Sequence, residues 1–288
     1  MDFSRLLKKD ENDFISLATT YKNYKWYKPI LVLIIGLIIF IILSAVVAVI
    51  FKTSFSGANL IGTSPEGHTI AGILNLLTVA LITPSLYLAT RFIYKAPLTS
   101  QITLRGKWNW GVVLKSAAIA LVVFGANAIY SALTSPTPIV NQFTIITFVL
   151  CLIITPLQCF AEEYFFRGFL LQTFKSWFKI PIVAIILQAI GFGAIHSYNL
   201  LGLASVAFVG LCFGFLAWYT ESLEVSTAIH SINNLLTFLV MGLGITSVTN
   251  DITLISVLQT VLVTVVTIIL ILYAEKRYRW IGFEGKDA

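Results

Sequence analysis

Charge is what this sequence has least of. Only 11% of its 288 residues are charged, against about a quarter in a soluble domain, which sets soluble multi-domain architectures aside. Cysteine is scarce too. Cys151, Cys159 and Cys212 all lie in apolar runs without metal-type spacing, so no disulfide framework is indicated and they read as buried free thiols. There are three histidines, His68, His196 and His230. No internal repeat and no low-complexity segment is visible. A cleavable signal peptide is not expected, because a mostly polar stretch with Asp2, Asp10, Glu11 and Asp13 precedes a first apolar run too long for a signal h-region.

What is present is hydrocarbon: 58% of the residues are hydrophobic. A bilayer core about 30 Å thick needs roughly 20 helical residues. On that basis the fold class is all-α, a polytopic membrane protein with eight spans: Ile30–Phe51, Thr69–Thr90, Gly111–Thr134, Phe143–Arg167, Pro181–His196, Leu200–Tyr219, Val225–Leu243 and Ile252–Ala274. The fourth helix is free to run on to Phe174, and the end of the short fifth is the least defined. Aromatics such as Trp26, Trp108, Trp110, Trp218 and Trp280 collect at the edges, as interfacial belts do.

With eight spans, both termini and every second loop share a side. That side takes Arg5, Lys8, Lys9, Arg91, Lys95, Lys175, Lys179, Lys286 and the rest of the 19 basic residues except Lys52. The positive-inside rule then puts both termini in the cytoplasm. The net charge of +6 is therefore a topology signal, with attraction to anionic lipid secondary. It is not a nucleic-acid footprint.

Against this apolar background, Glu162-Glu163-Tyr164-Phe165-Phe166-Arg167 stands out. Each ionisable side chain at the centre of a bilayer helix costs about 2.5–3.5 kcal/mol on insertion scales. Chemistry and a structural ion pair are the two explanations. Glu163 and Arg167 are spaced i, i+4 with the acid first, the favoured order for an intrahelical pair, and read as helix support. Glu162 has no such partner and suits general-base work. His196 alone reads as a packing residue more readily than as a catalyst, with Gly191 and Gly193 allowing close approach. His230 and Asn234 share a helix face, whereas Asn233 falls off it and reads as interhelical glue. Together, two histidines, an unpaired glutamate and a co-facial asparagine point to one shared site.

A depth count checks whether they meet. From Lys175 and Lys179, Glu162 lies about 20 Å and His196 about 25 Å along their helices. His230, counted from Glu224, lies about 9 Å in and Asn234 about 15 Å. Convergence requires the fourth span to run past Arg167 or the seventh to start deeper.

E-E-x-x-x-R, F-x-x-x-H and H-x-x-x-N, in this order on successive apolar segments from Phe143 to Leu243, resemble the CAAX-processing and bacteriocin-processing (CPBP) family of intramembrane endopeptidases. That group includes the CAAX prenyl protease and lysostaphin-resistance types. The resemblance implies hydrolysis of a peptide bond within the membrane, in a catalytic core formed by the fourth to seventh spans, at a cavity open to the cytoplasm. It implies that Glu162 and His196 activate water, that His230 and Asn234 stabilise the oxyanion, and that Glu163, Arg167 and Phe192 support them. A zinc held by Glu162, His196 and His230 is open but not required. No H-E-x-x-H, G-x-S-G or Gly-x-Gly-Asp motif is present, so other intramembrane protease chemistries fit worse. The expected organisation is a cytoplasmic segment 1–29, three N-terminal spans within 30–134, a protease-like core 135–245, and a last span and tail 246–288. The expected partners are the bilayer of a bacterial plasma membrane and a membrane-anchored protein or peptide, either CAAX-like or bacteriocin-type. A non-proteolytic scaffold or bacteriocin-immunity protein is the main alternative, followed by a proton-coupled transporter, since buried Glu and His also build proton relays.

Overall fold

The computed structural model describes residues 6–7, 13–55, 67–134, 138–246 and 251–281. The basic residues Arg5, Lys8, Lys9 and Lys286, and the acids Asp2, Asp10 and Glu11, lie outside the described residues. Every helix and short turn belongs to an all-α architecture, with ten α-helices among the described residues. They are α1 (Lys28–Ser54), α2 (Ile70–Ala80), α3 (Ile82–Tyr94), α4 (Trp110–Thr134), α5 (Ile145–Glu163), α6 (Leu171–Phe178), α7 (Pro181–Ala194), α8 (Leu200–Thr220), α9 (Glu224–Gly242) and α10 (Leu254–Tyr278). A 3-10 helix, Phe14–Thr20, precedes α1, and a π-helical segment, Tyr164–Leu170, joins α5 to α6.

Seven stretches are long and apolar enough to cross a membrane, and this is a multi-pass membrane protein. The bounds differ from the sequence expectation in three places. The second span breaks at Leu81, because Pro84 has no N–H to return to Ala80 and its ring crowds that carbonyl. The fourth runs without interruption from Ile145 to Phe178. The fifth, expected to reach His196, closes at Ala194, and at about 1.5 Å per residue is shorter than the hydrocarbon core. His196 lies just beyond its end.

Helices α5 and α9 form the centre. They pack on each other, with α2 against α5 and α4 against α9. Of the residues in the apolar windows of α5–α6 and of α9, 44% are buried inside the protein, against 11% for α1, so α1 is a peripheral helix and the ionisable motif belongs to an inner one. Helices α7 and α8 make an antiparallel pair drawn together by glycines. A Cβ at Gly210 would meet the Ala189 backbone at 3.1 Å, and one at Gly193 the Leu203 carbonyl at 2.9 Å.

One end of the bundle is closed by polar contacts. The Phe14 N–H donates to Glu221 at 2.5 Å, Lys175 reaches Ser16, and Tyr24 donates to Ser176. Residues 98–105 pair with the α8–α9 turn, Leu223 N–H to the Ile102 carbonyl and Leu104 N–H to the Glu221 carbonyl. Glu224, fully buried, gathers Arg105, Ser222 and the Asn109 N–H. The opposite end is tied by Asn199, which caps α8 through the Gly202 N–H and donates to Asp251 and the Ile252 carbonyl just ahead of α10.

Candidate active site

The polar cluster forms where α5, the π segment, α7, α8 and α9 meet. Glu163 and Arg167 are both wholly buried, and Arg167 Nη1 donates to Glu163 Oε1 at 2.9 Å. The guanidinium also lies 4.3 Å from the Phe192 ring centre and 5.4 Å from that of Phe213. Its other nitrogen, Nη2, reaches the Gly210 carbonyl at 3.4 Å. A charge inside lipid is tolerable only with such company.

Glu163 does more than neutralise its own helix. The same Oε1 accepts from His230 Nδ1 at 2.9 Å. With that proton directed at a carboxylate, the ring is fixed and Nε2 faces two further groups. These are Glu162 Oε2 at 3.5 Å and Asn234 Nδ2 at 3.3 Å. Glu162, one residue on from the helix face of the ion pair, is 9% exposed. It has no arginine or lysine beside it among the described residues, as its place in the sequence suggests.

The depth mismatch between His230 and the glutamates resolves in both of the ways allowed for. The fourth span runs past Arg167, and α9 starts deep, with the Leu223 side chain 3.4 Å from where a Gly168 Cβ would stand. From that shared level Glu163 lies about 8 Å and His230 about 10 Å along their helices.

His196 is near but separate. Its Nδ1 bonds the Phe192 carbonyl at 2.8 Å, which leaves Nε2 as a proton acceptor. Phe192 lies between the two imidazoles, 5.0 Å from the ring centre of His196 and 6.0 Å from that of His230. No hydrogen bond or ion pair joins His196 to Glu162, and His230 is the imidazole in contact with that carboxylate. Of the residues singled out in the sequence, Arg167, His196 and His230 surround the Phe192 ring, and Glu162, Glu163 and Asn234 join through His230. Among the described residues no three His, Cys, Asp or Glu side chains converge to hold a metal ion. The Phe192 ring packs against both imidazoles, and Glu162, His196 and His230 do not converge on one ion as arranged.

Residues 141–236 match the Rce1-like family, described as type II CAAX prenyl endopeptidase Rce1-like. This segment is similar to the Rce1-like family. The matched residues include every member of the cluster, and the family is one of CAAX-type intramembrane proteases. The uncharacterized protein YyaK of Bacillus subtilis (strain 168) is 32% identical over 164 residues, covering 53% of this chain and 55% of YyaK. The chain thus spans about half the length of that relative. No solved structure matches.

Three members of the cluster are not marked by the motifs. Gln158 accepts from Asn234, Gln188 donates to the same Gly210 carbonyl as Arg167, and Phe213 flanks His230 at 5.6 Å between ring centres. Gln158 sits four residues before Glu162, and a lone amide one turn away in an apolar run is the signal that marks it.

Proposed function

We propose that this chain is an intramembrane endopeptidase that hydrolyses a peptide bond of a membrane-anchored protein or peptide. In this reading the Glu162 carboxylate takes a proton from water as the water oxygen attacks the scissile carbonyl carbon. Asn234, and His230 when its Nε2 carries a proton, donate to the oxyanion that develops. Glu162 then passes its proton to the leaving nitrogen as the C–N bond breaks. Glu163 holds His230 in orientation and offsets the Arg167 charge. His196 Nε2 serves as a second proton acceptor on the water side.

The observation that carries this reading is a carboxylate with no arginine or lysine beside it, held in a membrane helix 3.5 Å from an imidazole that a second carboxylate orients. The protease-like core is taken as 135–245, flanked by three N-terminal spans and a last span. Both termini are assigned to the cytoplasm of a bacterial cell.

The test is cleavage of lipid-anchored and prenylated reporter peptides by the purified protein. Glu162→Ala and His196→Ala should lower kcat/KM by about 10²–10⁴-fold, the usual contribution of a positioned acid or base. Turnover should persist in chelator. Wild type cleaving no better than the variants across several peptides would leave a scaffold or immunity protein in place of an enzyme.

A further inference from the structure

Gln158 lies on the inward face of α5, one turn before Glu162, while its neighbours Ile153 and Leu157 are turned out of the bundle. Its side chain is only 4% exposed, a costly place for a primary amide unless its polar atoms are used. Oε1 is used twice. It accepts from Asn234 Nδ2 at 3.3 Å and from the Cys159 thiol, also at 3.3 Å. The amide nitrogen bonds to nothing among the described residues, yet it is not among the enclosed unpartnered atoms. It is an unpartnered donor beside the cluster that is not fully enclosed.

Asn234 makes this significant. Its Nδ2 hydrogens are directed at Gln158 Oε1 and His230 Nε2, and its Oδ1 is occupied by Asn233 Nδ2 at 3.0 Å. A substrate entering here meets an asparagine whose donors are engaged until His230 Nε2 takes up a proton and releases one of them for the oxyanion. Beside it, the Gln158 amide nitrogen has both hydrogens unengaged among the described residues.

We propose that Gln158 is a substrate-binding residue whose amide N–H donates to a backbone carbonyl of the bound peptide, while its oxygen holds the Asn234 amide nitrogen toward His230. This rests on the peptidase reading and adds the group that recognises the peptide main chain. The bond forms regardless of side-chain sequence, so it suits an enzyme that grips extended peptide backbone. Nothing covalent is required of Gln158.

Two variants separate its two atoms. Gln158→Glu keeps an oxygen for Asn234 and loses the donor, whereas Gln158→Met keeps the volume and loses both. KM should rise about tenfold in each, the equivalent of one lost hydrogen bond of roughly 1.4 kcal/mol. Only Gln158→Met should also lower kcat, because Asn234 is then free to turn. Wild-type KM in either folded variant overturns the proposal. If the added charge of Gln158→Glu prevents folding, the KM of Gln158→Met decides. A binding arm keeps this apart from the peptidase reading. Fluorescence anisotropy of a labelled reporter peptide on Glu162→Gln protein, with and without Gln158→Met, should show the same tenfold loss of affinity even without turnover. Equal affinities there refute the role of Gln158, while absent turnover by wild type refutes only the enzyme.

Discussion

At the scale of single residues, the cluster is governed by who neutralises whom. Glu163 stands between Arg167 and His230, accepting from both with one oxygen. The ion pair expected from i, i+4 spacing is there, but its acid also orients the imidazole, which no spacing rule within one helix could reveal. Removing one partner from a buried pair leaves a bare charge, and Arg167→Met should destabilise the protein by about 3–5 kcal/mol. Thermal unfolding in detergent measures this, and pairing it with Glu163→Gln should recover part of the loss. A Glu163→Gln protein should lose both stability and turnover, since the amide cannot serve a cation and an imidazole as a carboxylate does. Unchanged activity in that variant would remove the link between Glu163 and His230.

At the scale of elements, the π segment is what aims the motif. The extra residue per turn between Tyr164 and Leu170 carries Arg167 and brings Gly168 against the loop before α4. A Cβ at Gly168 would lie 2.4 Å from the Gln101 carbonyl oxygen, a backbone atom with little room to yield. Tyr164 and Gln172 hold the same loop through Gln101 and Ser100. Gly168→Ala should therefore cost about 1–3 kcal/mol, as overpacking does, and should reduce activity by displacing Arg167. A melting temperature equal to wild type would show that the loop gives way easily.

The N-terminal 3-10 helix and its following turn brace the same end. Burial pushes the Tyr21 phenol up to about 12, against the opposing pull of its hydrogen bond with Ser100. The unfolded chain loses that proton near pH 10 and the folded one only near 12, so this contribution is complete below about pH 10 and is lost between those values. Stability curves measured from pH 9 to 12 should fall less steeply for Tyr21→Phe than for wild type. Identical slopes would mean the hydroxyl is not held as described.

Across the whole molecule, Lys175 and Arg105 make their contacts at the end closed by the N-terminal helix, residues 98–105 and α6. Helix ends are tied together there, such as α4 and α10 through Lys115 over Trp280, and the proposed even number of crossings counts α7 as one of them. Lys179 and Lys52 are both exposed and mark opposite ends. A membrane-impermeant maleimide should label Lys52→Cys in intact cells and Lys179→Cys only after permeabilisation. Labelling of both from one side would refute the orientation.

Composition alone determined the class, because a chain this poor in charge and this rich in long apolar runs can satisfy its backbone in lipid only as helices. Spacing determined the Glu163–Arg167 pair and the His230–Asn234 face, since both are properties of one helix. Which imidazole meets Glu162, how deep α9 begins, and that Gln158 reaches Asn234 were decided by tertiary structure. Each depends on the relative height and rotation of separate helices, set by contacts such as Gly168 on Gln101 and Gly210 on Ala189, and no periodicity within a single segment contains that information.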